Sequence, residues 1–264
     1  MFEVDGVKYV PVSPSERTCD AIDGVYGETQ KDVTIPSKVT YKGITMTVRN
    51  VQRYFCFGNK TIEHLQLEDV TGIGEQAFAD CSSLQSVTIP NTVTTIGNNL
   101  LTNCGNLTSI VVGEGNTAYG SREECNAIIN SSTNELIEGC NNTVIPNTVT
   151  SIGKDAFLGR SGLASISIPE SVTAIKESAF ANCSSLNGIT IGNSVKSIGN
   201  RTVRYFCVRI LLVRMLTRQG EHVRESEPLA LPTRLVLVIE PSIPGVMAVA
   251  GHPIVVIKSI ENIV

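Results

Sequence analysis

The segment Leu84-Gln85-Ser86-Val87-Thr88-Ile89-Pro90 is the clearest copy of a pattern that recurs along this chain of 264 residues. Val93, Ile96-Gly97, Leu100-Leu101 and Cys104 follow it in that order. The same order begins again at Leu163 and, 23 residues later, at Leu186. Because many positions keep one period, the sequence predicts a stack of equivalent structural units.

Each unit contains a segment typical of a half-buried strand. Val87 and Ile89 alternate with Ser86 and Thr88, so one side is apolar and the other carries hydroxyl groups. Proline has no N–H group and is expected to end this strand, which it follows at positions 36, 90, 146 and 169.

Two further recurring features lie after the strand. A glycine, expected to let the backbone turn, recurs at Gly74, Gly97, Gly153 and Gly199. An alanine–phenylalanine pair, which predicts a short helical or 3₁₀ turn with a buried ring, recurs at Ala77-Phe78, Ala156-Phe157 and Ala179-Phe180. A single unit has too few apolar side chains to fold alone, so its neighbours must cover it. The sequence therefore predicts a β-rich solenoid with one long parallel β-sheet on one face.

The pattern Leu-x-x-Val-x-Ile-Pro-x-x-Val-x-x-Ile-Gly-x-x-Ala-Phe-x-x-Cys resembles the BspA-like leucine-rich repeats of bacterial surface proteins. The resemblance covers residues 51–200, with Arg160 in a cysteine position and Cys56 in a phenylalanine position. It implies a right-handed leucine-rich-repeat solenoid of about six coils. It also implies a location at the cell surface or outside the cell, and adhesion to a host extracellular-matrix protein, a cell-surface protein or a glycan.

The sequence divides into three regions. Residues 1–50 predict an N-terminal β cap built around a hairpin, because the exposed end of a solenoid is an unpaired apolar surface. Its expected strands are Phe2–Val4, Val7–Val10, Val33–Ile35 and Ile44–Val48. Residues 51–200 are the solenoid, and residues 201–264 are an atypical tail.

The repeat period is broken once, by an insertion at about 113–142. Two apolar segments there flank Ser131–Asn134, which predicts a hairpin with a four-residue loop. In that register Cys125 lies opposite Cys140, so the pair is either a disulfide or two free, partly buried thiols. Cys81, Cys104 and Cys183 share one repeat position and are interpreted as small, inert, buried side chains.

The tail differs from the rest of the chain in composition. Residues 1–200 contain 18 Asn and 5 Arg, whereas residues 201–264 contain 1 Asn and 7 Arg. Two explanations are open: a genuine C-terminal cap, or a segment read out of frame or from a truncated gene. The apolar run Leu235–Ile239 is predicted to pair as a strand in either case.

Composition and motifs argue against several functions. A net charge of −4 without clustered Lys or Arg does not favour nucleic-acid binding. The chain has no apolar run typical of a membrane span, and its first residues do not resemble an export signal. It has no CxxC pair and no nucleotide-binding, hydrolase or metalloprotease motif. We therefore expect no catalytic residue, metal or cofactor, and an enzyme only if a catalytic domain lies outside this chain.

The remaining candidates for function are on the surface. Outward strand positions carry uncharged, mostly polar residues, and the binding candidates among them are Gln66, Thr88, Val111, Ser167 and Thr190. Tyr119 and Arg122 of the insertion are candidates for specificity. The alternative is that Ser and Thr simply suit an exposed sheet. The sequence thus predicts a non-enzymatic binding or adhesion module, or a structural spacer that carries another domain.

Overall fold

The computed structural model describes residues 1–24, 30–202, 208–211 and 235–241. Up to residue 112 the strands are β1 (Phe2–Val4), β2 (Val7–Ser13), β3 (Thr18–Gly24), β4 (Asp32–Ile35), β5 (Lys38–Tyr41), β6 (Ile44–Val51), β7 (His64–Leu67), β8 (Gly72–Ile73), β9 (Ser86–Ile89), β10 (Thr95–Ile96) and β11 (Ser109–Val112). After it they are β12 (Tyr119–Gly120), β13 (Ala127–Asn130), β14 (Glu135–Gly139), β15 (Ser151–Ile152), β16 (Ser165–Ile168), β17 (Ala174–Ile175), β18 (Gly188–Ile191), β19 (Ser197–Ile198), β20 (Val208–Leu211) and β21 (Leu235–Pro241).

Every regular repeat contributes one strand to each of two columns. The first column contains the four-residue strands, which pair in parallel with side chains in register, as Ile110 with Val87 and Ile189 with Ile166. The second column contains the two-residue strands, as Ile96 beside Ile73 and Ile198 beside Ile175. Prolines follow the first-column strands at the expected places. The solenoid prediction is therefore confirmed, and the second column is an addition that the sequence did not indicate.

The recurring glycines have a different role from the expected one. Gly97 does not have a positive φ, and a Cβ atom there would lie 2.6 Å from the Cα of Glu75 in the preceding coil. Gly74 and Gly199 meet the backbone of the preceding coil in the same way. The glycine is thus needed because two backbones approach closely, and the expectation that it provides the turn was wrong.

The chain turns at other residues. Two positions in each regular coil adopt the left-handed conformation, for example Gln76 with a φ of 51° and Asp80 with a φ of 58°. The alanine–phenylalanine segment between them is a single hydrogen-bonded turn, in which the N–H of Ala79 donates to the carbonyl of Gln76 at 3.2 Å. Among the described residues, a 3₁₀ helix is found only at Arg122–Glu124, within the insertion.

The N-terminal region has more strands than were expected. β1, β2 and β3 form an antiparallel meander, and β5 and β6 form a hairpin. β4 pairs in parallel with β7, and β6 pairs in parallel with both β3 and β8. This region therefore covers the first coil and also supplies the first strand of each column.

The insertion interrupts both columns. Sheet β4-β7-β9-β11 ends at β11, and the next first-column strands, β16 and β18, belong to a separate sheet with β21 and β20. In the second column, β10 ends one sheet, and β12-β13-β14-β15-β17-β19 form another. The expectation of a single long sheet was wrong, because the segment 142–145 forms no strand and residues 121–127 pack beside β11 instead.

The tail contributes two strands to the described structure. β21 pairs antiparallel with β18, with Leu237 opposite Ile189, and β20 pairs antiparallel with β21. The predicted strand at Leu235–Ile239 is thereby confirmed. The rest of the tail lies outside the described residues, so the choice between a cap and an out-of-frame segment remains a proposal.

Candidate functional site

The outward side chains of the first column form the candidate binding surface, which we call the strand face. Gln66 is in register with Thr88, and Thr88 with Val111, so the three form one row across β7, β9 and β11. Ser167 and Thr190 form a second row across β16 and β18. The structure therefore brings the predicted residues together in two groups, on either side of the insertion.

Two exposed apolar residues lie where the first column is interrupted, at β11 and in the segment after it that forms no strand. Val111 is 47% exposed, and Val144, which holds the same repeat position one coil later, is 72% exposed. Polar contacts lie on the earlier strands of the column: Nδ1 of His64 on β7 is 2.7 Å from Oγ of Ser86 on β9, and Lys31 pairs with Glu63 at 2.7 Å. This ion pair lowers the pKa of the Glu63 carboxyl and raises that of Lys31.

The two candidates in the insertion lie apart from the strand face. Tyr119 is 8% exposed, and its hydroxyl oxygen accepts a hydrogen bond of 3.0 Å from the N–H of Ile96 on the second column. Arg122 is half-buried and donates to Oδ1 of Asn134 at 2.8 Å. At the edge of β10, the hydroxyl of Tyr119 thus takes the place of a carbonyl from a neighbouring strand. Neither Tyr119 nor Arg122 belongs to the two rows of the strand face.

The expected register of the inserted hairpin was wrong at its open end. Its four-residue loop is present, but an irregularity between Ile128 and Ile129 shifts the pairing, so that Ala127 faces Gly139. The two cysteines belong to different hydrophobic clusters of the core. Cys140 packs in the first cluster, which begins at Phe2, and Cys125 packs in the second cluster, which extends to Ile198. Both are free thiols in the structure, so the candidate disulfide is not formed.

The recurring cysteines have a polar contact that the sequence did not reveal. The thiol of Cys104 donates to the carbonyl of Phe78 at 3.1 Å, and that of Cys183 to the carbonyl of Phe157 at 3.0 Å. The thiol of Cys81 likewise donates to the carbonyl of Cys56, one coil earlier, at 3.0 Å. Burial raises the pKa of Cys183 to about 12, which keeps the thiol protonated and able to donate. Each cysteine therefore satisfies a buried carbonyl group of the preceding coil.

Arg160 performs this function in the coil that lacks the cysteine. Its side chain is fully buried; Nε donates to the carbonyl of Gly139 and Nη1 to that of Leu101, both at 2.6 Å. Nη2 pairs with Oε2 of Glu138 at 3.0 Å, while Oε1 of Glu138 accepts the N–H of Leu101 at 3.2 Å. Burial raises the pKa of Glu138 to about 7, and the guanidinium opposes that rise. Arg160 thus replaces the thiol donor, and Glu138 replaces a backbone acceptor, where the insertion interrupts the repeat.

A cleft lies where the second column is interrupted. It has a volume of about 450 Å³ and is lined by residues of β10, β12, β14 and the segment after β15, among them Tyr119, Glu135, Ile137, Glu138 and Asp155. It could not be predicted from the sequence, because its walls come from segments up to 80 residues apart, from Glu75 to Asp155.

An exposed aromatic pair was also missed. Tyr54 and Phe57 are 47% and 50% exposed, and their rings meet edge to face with centroids 5.7 Å apart. The signal was available, since both aromatic residues fall outside the phenylalanine position, which Cys56 holds in that coil. In the described part of the chain, no cluster of three or more His, Cys, Asp or Glu side chains is arranged to bind a metal. No helix in that part is long and apolar enough to cross a membrane.

Comparison with solved structures gives repeat proteins with low sequence identity. The pneumococcal vaccine antigen PcpA is 17% identical over 75% of this chain and 77% of its own, with a TM-score of 0.45. A T. pallidum leucine-rich repeat protein is 20% identical over 75% and 85%, with a TM-score of 0.41. A leucine-rich cell surface protein from Faecalibacterium prausnitzii is 18% identical over 70% and 81%, with a TM-score of 0.30. No curated protein matches the chain.

The family assignment rests on the repeat itself. The sequence profile of the BspA type leucine-rich repeat region matches residues 50–135 and 127–211 with six copies, which is more than half of the chain. The matched ranges contain the first-column strands β7 to β18 and the second-column strands β8 to β19. The chain therefore belongs to the family of BspA type leucine-rich repeat proteins.

Proposed function

We propose that this chain is a non-enzymatic binding module of a bacterial surface or secreted protein, and that its strand face contacts the partner. The partner class suggested by the family resemblance is a host extracellular-matrix protein, a cell-surface protein or a glycan. One observation carries the proposal: Gln66, Thr88 and Val111 form a continuous row of uncharged side chains. Repeat proteins use such extended rows as binding surfaces.

The exposed valines support this choice of surface. Val111 is an apolar side chain open to water at the β11 end of the first row, and Val144 is exposed at the same repeat position of the next coil. Single exposed apolar residues are common on proteins, but a partner that covered Val111 together with the row would gain free energy by excluding water from it. The surrounding hydroxyl and amide groups are suited to the hydrogen-bonded rim of an interface.

A binding experiment with face and control variants tests the proposal. The purified chain is immobilised, and binding of fibronectin, laminin, collagen and mucin glycans is measured by biolayer interferometry. The double variant Thr88→Lys/Val111→Lys places two ammonium groups on the row without disturbing buried residues. We expect it to weaken any saturable binding by about tenfold or more, because each desolvated charge opposes association.

Thr148→Lys is the matched control, since Thr148 is exposed and lies outside both rows. It adds the same kind of charge and is expected to leave the affinity unchanged. If the face variant bound as tightly as the unmodified chain, the strand face would not be the contact surface. Absence of saturable binding to every partner would instead favour the alternative function of a structural spacer.

A further inference from the structure

The cleft in the second column is separate from the strand face and combines acidic and apolar groups. Four carboxylate residues line it, namely Glu75, Glu135, Glu138 and Asp155, together with one cationic residue, Lys154. Ile96, Ile137 and Tyr119 also line it and supply apolar surface. This combination is suited to a cation carried on an aliphatic stem.

Most charges around the cleft already have partners. Glu135 pairs with Lys176 at 2.6 Å, Lys154 with Glu177 at 3.2 Å, and Glu138 with Arg160 at 3.0 Å. Glu75 and Asp155 remain, and no hydrogen bond or ion pair involves either carboxylate within the part of the chain that the structure describes. The cleft therefore has two carboxylates without a hydrogen bond or ion pair in the described part of the chain.

Asp155 is the more informative of the two because it is buried. It is 8% exposed, and its N–H group is bonded to the carbonyl of Glu177 at 3.1 Å. Burial raises the pKa of its carboxyl; the ammonium group of Lys154 opposes that rise, and Glu177 adds to it. The carboxylate is partly desolvated and has no hydrogen-bond partner in the described part of the chain, so a ligand that supplied a donor would bind with a gain in free energy.

The backbone does not require a charge at this position. The backbone of Asp155 has the left-handed conformation, with a φ of 60°. The equivalent residue two coils earlier, Asn99, has a φ of 57°. Asparagine adopts this conformation at least as readily as aspartate and carries no charge. An asparagine at position 155 would therefore support the same turn without the negative charge.

We propose that this cleft binds an ammonium or guanidinium group on an aliphatic stem, with Asp155 as its main counter-ion and Glu75 as a second one. The stem would lie against Ile96, Ile137 and Tyr119. The two sources of this chemistry are a lysine or arginine side chain of a partner protein and a free polyamine. This site is independent of the strand face and of the function proposed for it.

Calorimetric titration at low ionic strength tests the proposal. The probes are acetyl-Ala-Lys-Ala-amide, acetyl-Ala-Arg-Ala-amide and spermidine, with acetyl-Ala-Gln-Ala-amide as the neutral control. We expect saturable binding of at least one cationic probe and none of the neutral peptide. Asp155→Asn is expected to weaken that binding by about tenfold or more, because it removes a charge-assisted hydrogen bond.

Two further variants make the outcome specific. Glu75→Gln is expected to weaken binding to a smaller extent than Asp155→Asn. Glu114→Gln removes an exposed carboxylate outside the cleft and is expected to have no effect. Binding of spermidine alone would identify a polyamine, and binding of the peptides alone a partner side chain; both support the proposal. It would be overturned by equal affinity in Asp155→Asn, by equal losses in Asp155→Asn and Glu114→Gln, or by no cation binding at all.

Discussion

Arg160 and Glu138 supply, with two side chains, contacts that the backbone of Leu101 would receive from the next coil in a regular repeat. In a regular coil, the carbonyl in the phenylalanine position accepts a thiol, and its N–H donates to a carbonyl of the next coil, as Phe78 does to Leu100 at 3.1 Å. Leu101 has neither the thiol donor nor the carbonyl acceptor from a following coil, and receives Nη1 of Arg160 and Oε1 of Glu138 instead. A planar guanidinium suits this role because its donors diverge in fixed directions.

Replacement of Arg160 by methionine should therefore destabilise the chain strongly. Arg160→Met leaves Glu138 as a lone buried carboxylate, and we expect the free energy of unfolding to fall by about 3–5 kcal/mol. Because burial alone then sets the raised pKa of Glu138, the folded state binds an extra proton, so the loss should grow as the pH rises from 5 to 8. Urea unfolding at both pH values measures this.

Two variants serve as controls for that measurement. Lys154→Met removes a cation that is 61% exposed in its pair with Glu177 and should change stability by no more than about 1 kcal/mol. Arg160→Met/Glu138→Gln should remove the pH dependence and recover part of the loss. If Arg160→Met were no more harmful than Lys154→Met, the buried pair would not have the role assigned to it.

The residues that the sequence predicted best are those whose position follows from the repeat alone. Thr88 and Val111 face outward as expected, because alternation along a strand fixes their side. The contacts of Arg160 could not be predicted, since its partner Leu101 is 59 residues away and is brought close only by the insertion. Cys125 was misplaced for a similar reason, because one irregularity in the hairpin is enough to shift the register.

At the scale of the elements, the spacing between coils depends on the recurring glycine. Gly97→Ala would place a Cβ atom 2.6 Å from the Cα of Glu75, so the two coils would have to separate. We expect the free energy of unfolding to fall by about 1–3 kcal/mol, as for other overpacked sites. Thermal or urea unfolding measures the change.

Gly188 offers a matched control on the first column. A Cβ atom there would meet only the side chain of Ser165, at an ordinary distance of 3.8 Å. Gly188→Ala should therefore alter stability by no more than about 0.5 kcal/mol. Equal effects of the two substitutions would mean that close approach of the backbones is not the reason for glycine at position 97.

The strands of the two columns also differ in how well they can be predicted from the sequence. First-column strands such as β9 alternate over four residues and end at a proline, which gives a recognisable pattern. Second-column strands such as β10 have two residues, too few for any alternation to appear. They exist because the neighbouring coil presents an equivalent strand, so their pairing is a property of the stack and not of the local sequence.

For the molecule as a whole, the insertion divides the core in two. One hydrophobic cluster extends from Phe2 to Cys140 and the other from Cys125 to Val195, and the two overlap in sequence only within the insertion. In repeat proteins, stability is approximately a sum over units and the interfaces between them. Arg160 contacts Leu101, whose side chain belongs to the first cluster, from a coil whose other core residues belong to the second.

This arrangement predicts that Arg160 couples the unfolding of the two clusters. Hydrogen exchange followed by mass spectrometry should give similar opening free energies for segments 64–112 and 151–191 of the unmodified chain. In Arg160→Met these values should separate, because the interface that joins the clusters is weakened while the contacts within each are unchanged.

Val87→Ala is the control, because it removes two methyl groups from the first cluster alone and leaves the interface intact. It should lower the free energy of unfolding by about 1–3 kcal/mol, and the opening free energies of the two segments should stay similar. In that variant the protection of both segments should fall together, since the intact pair still transmits the loss. If Arg160→Met also lowered both segments equally, the coupling would have to pass through other contacts of the insertion, such as the bond between Ser121 and Ala127 at 2.7 Å.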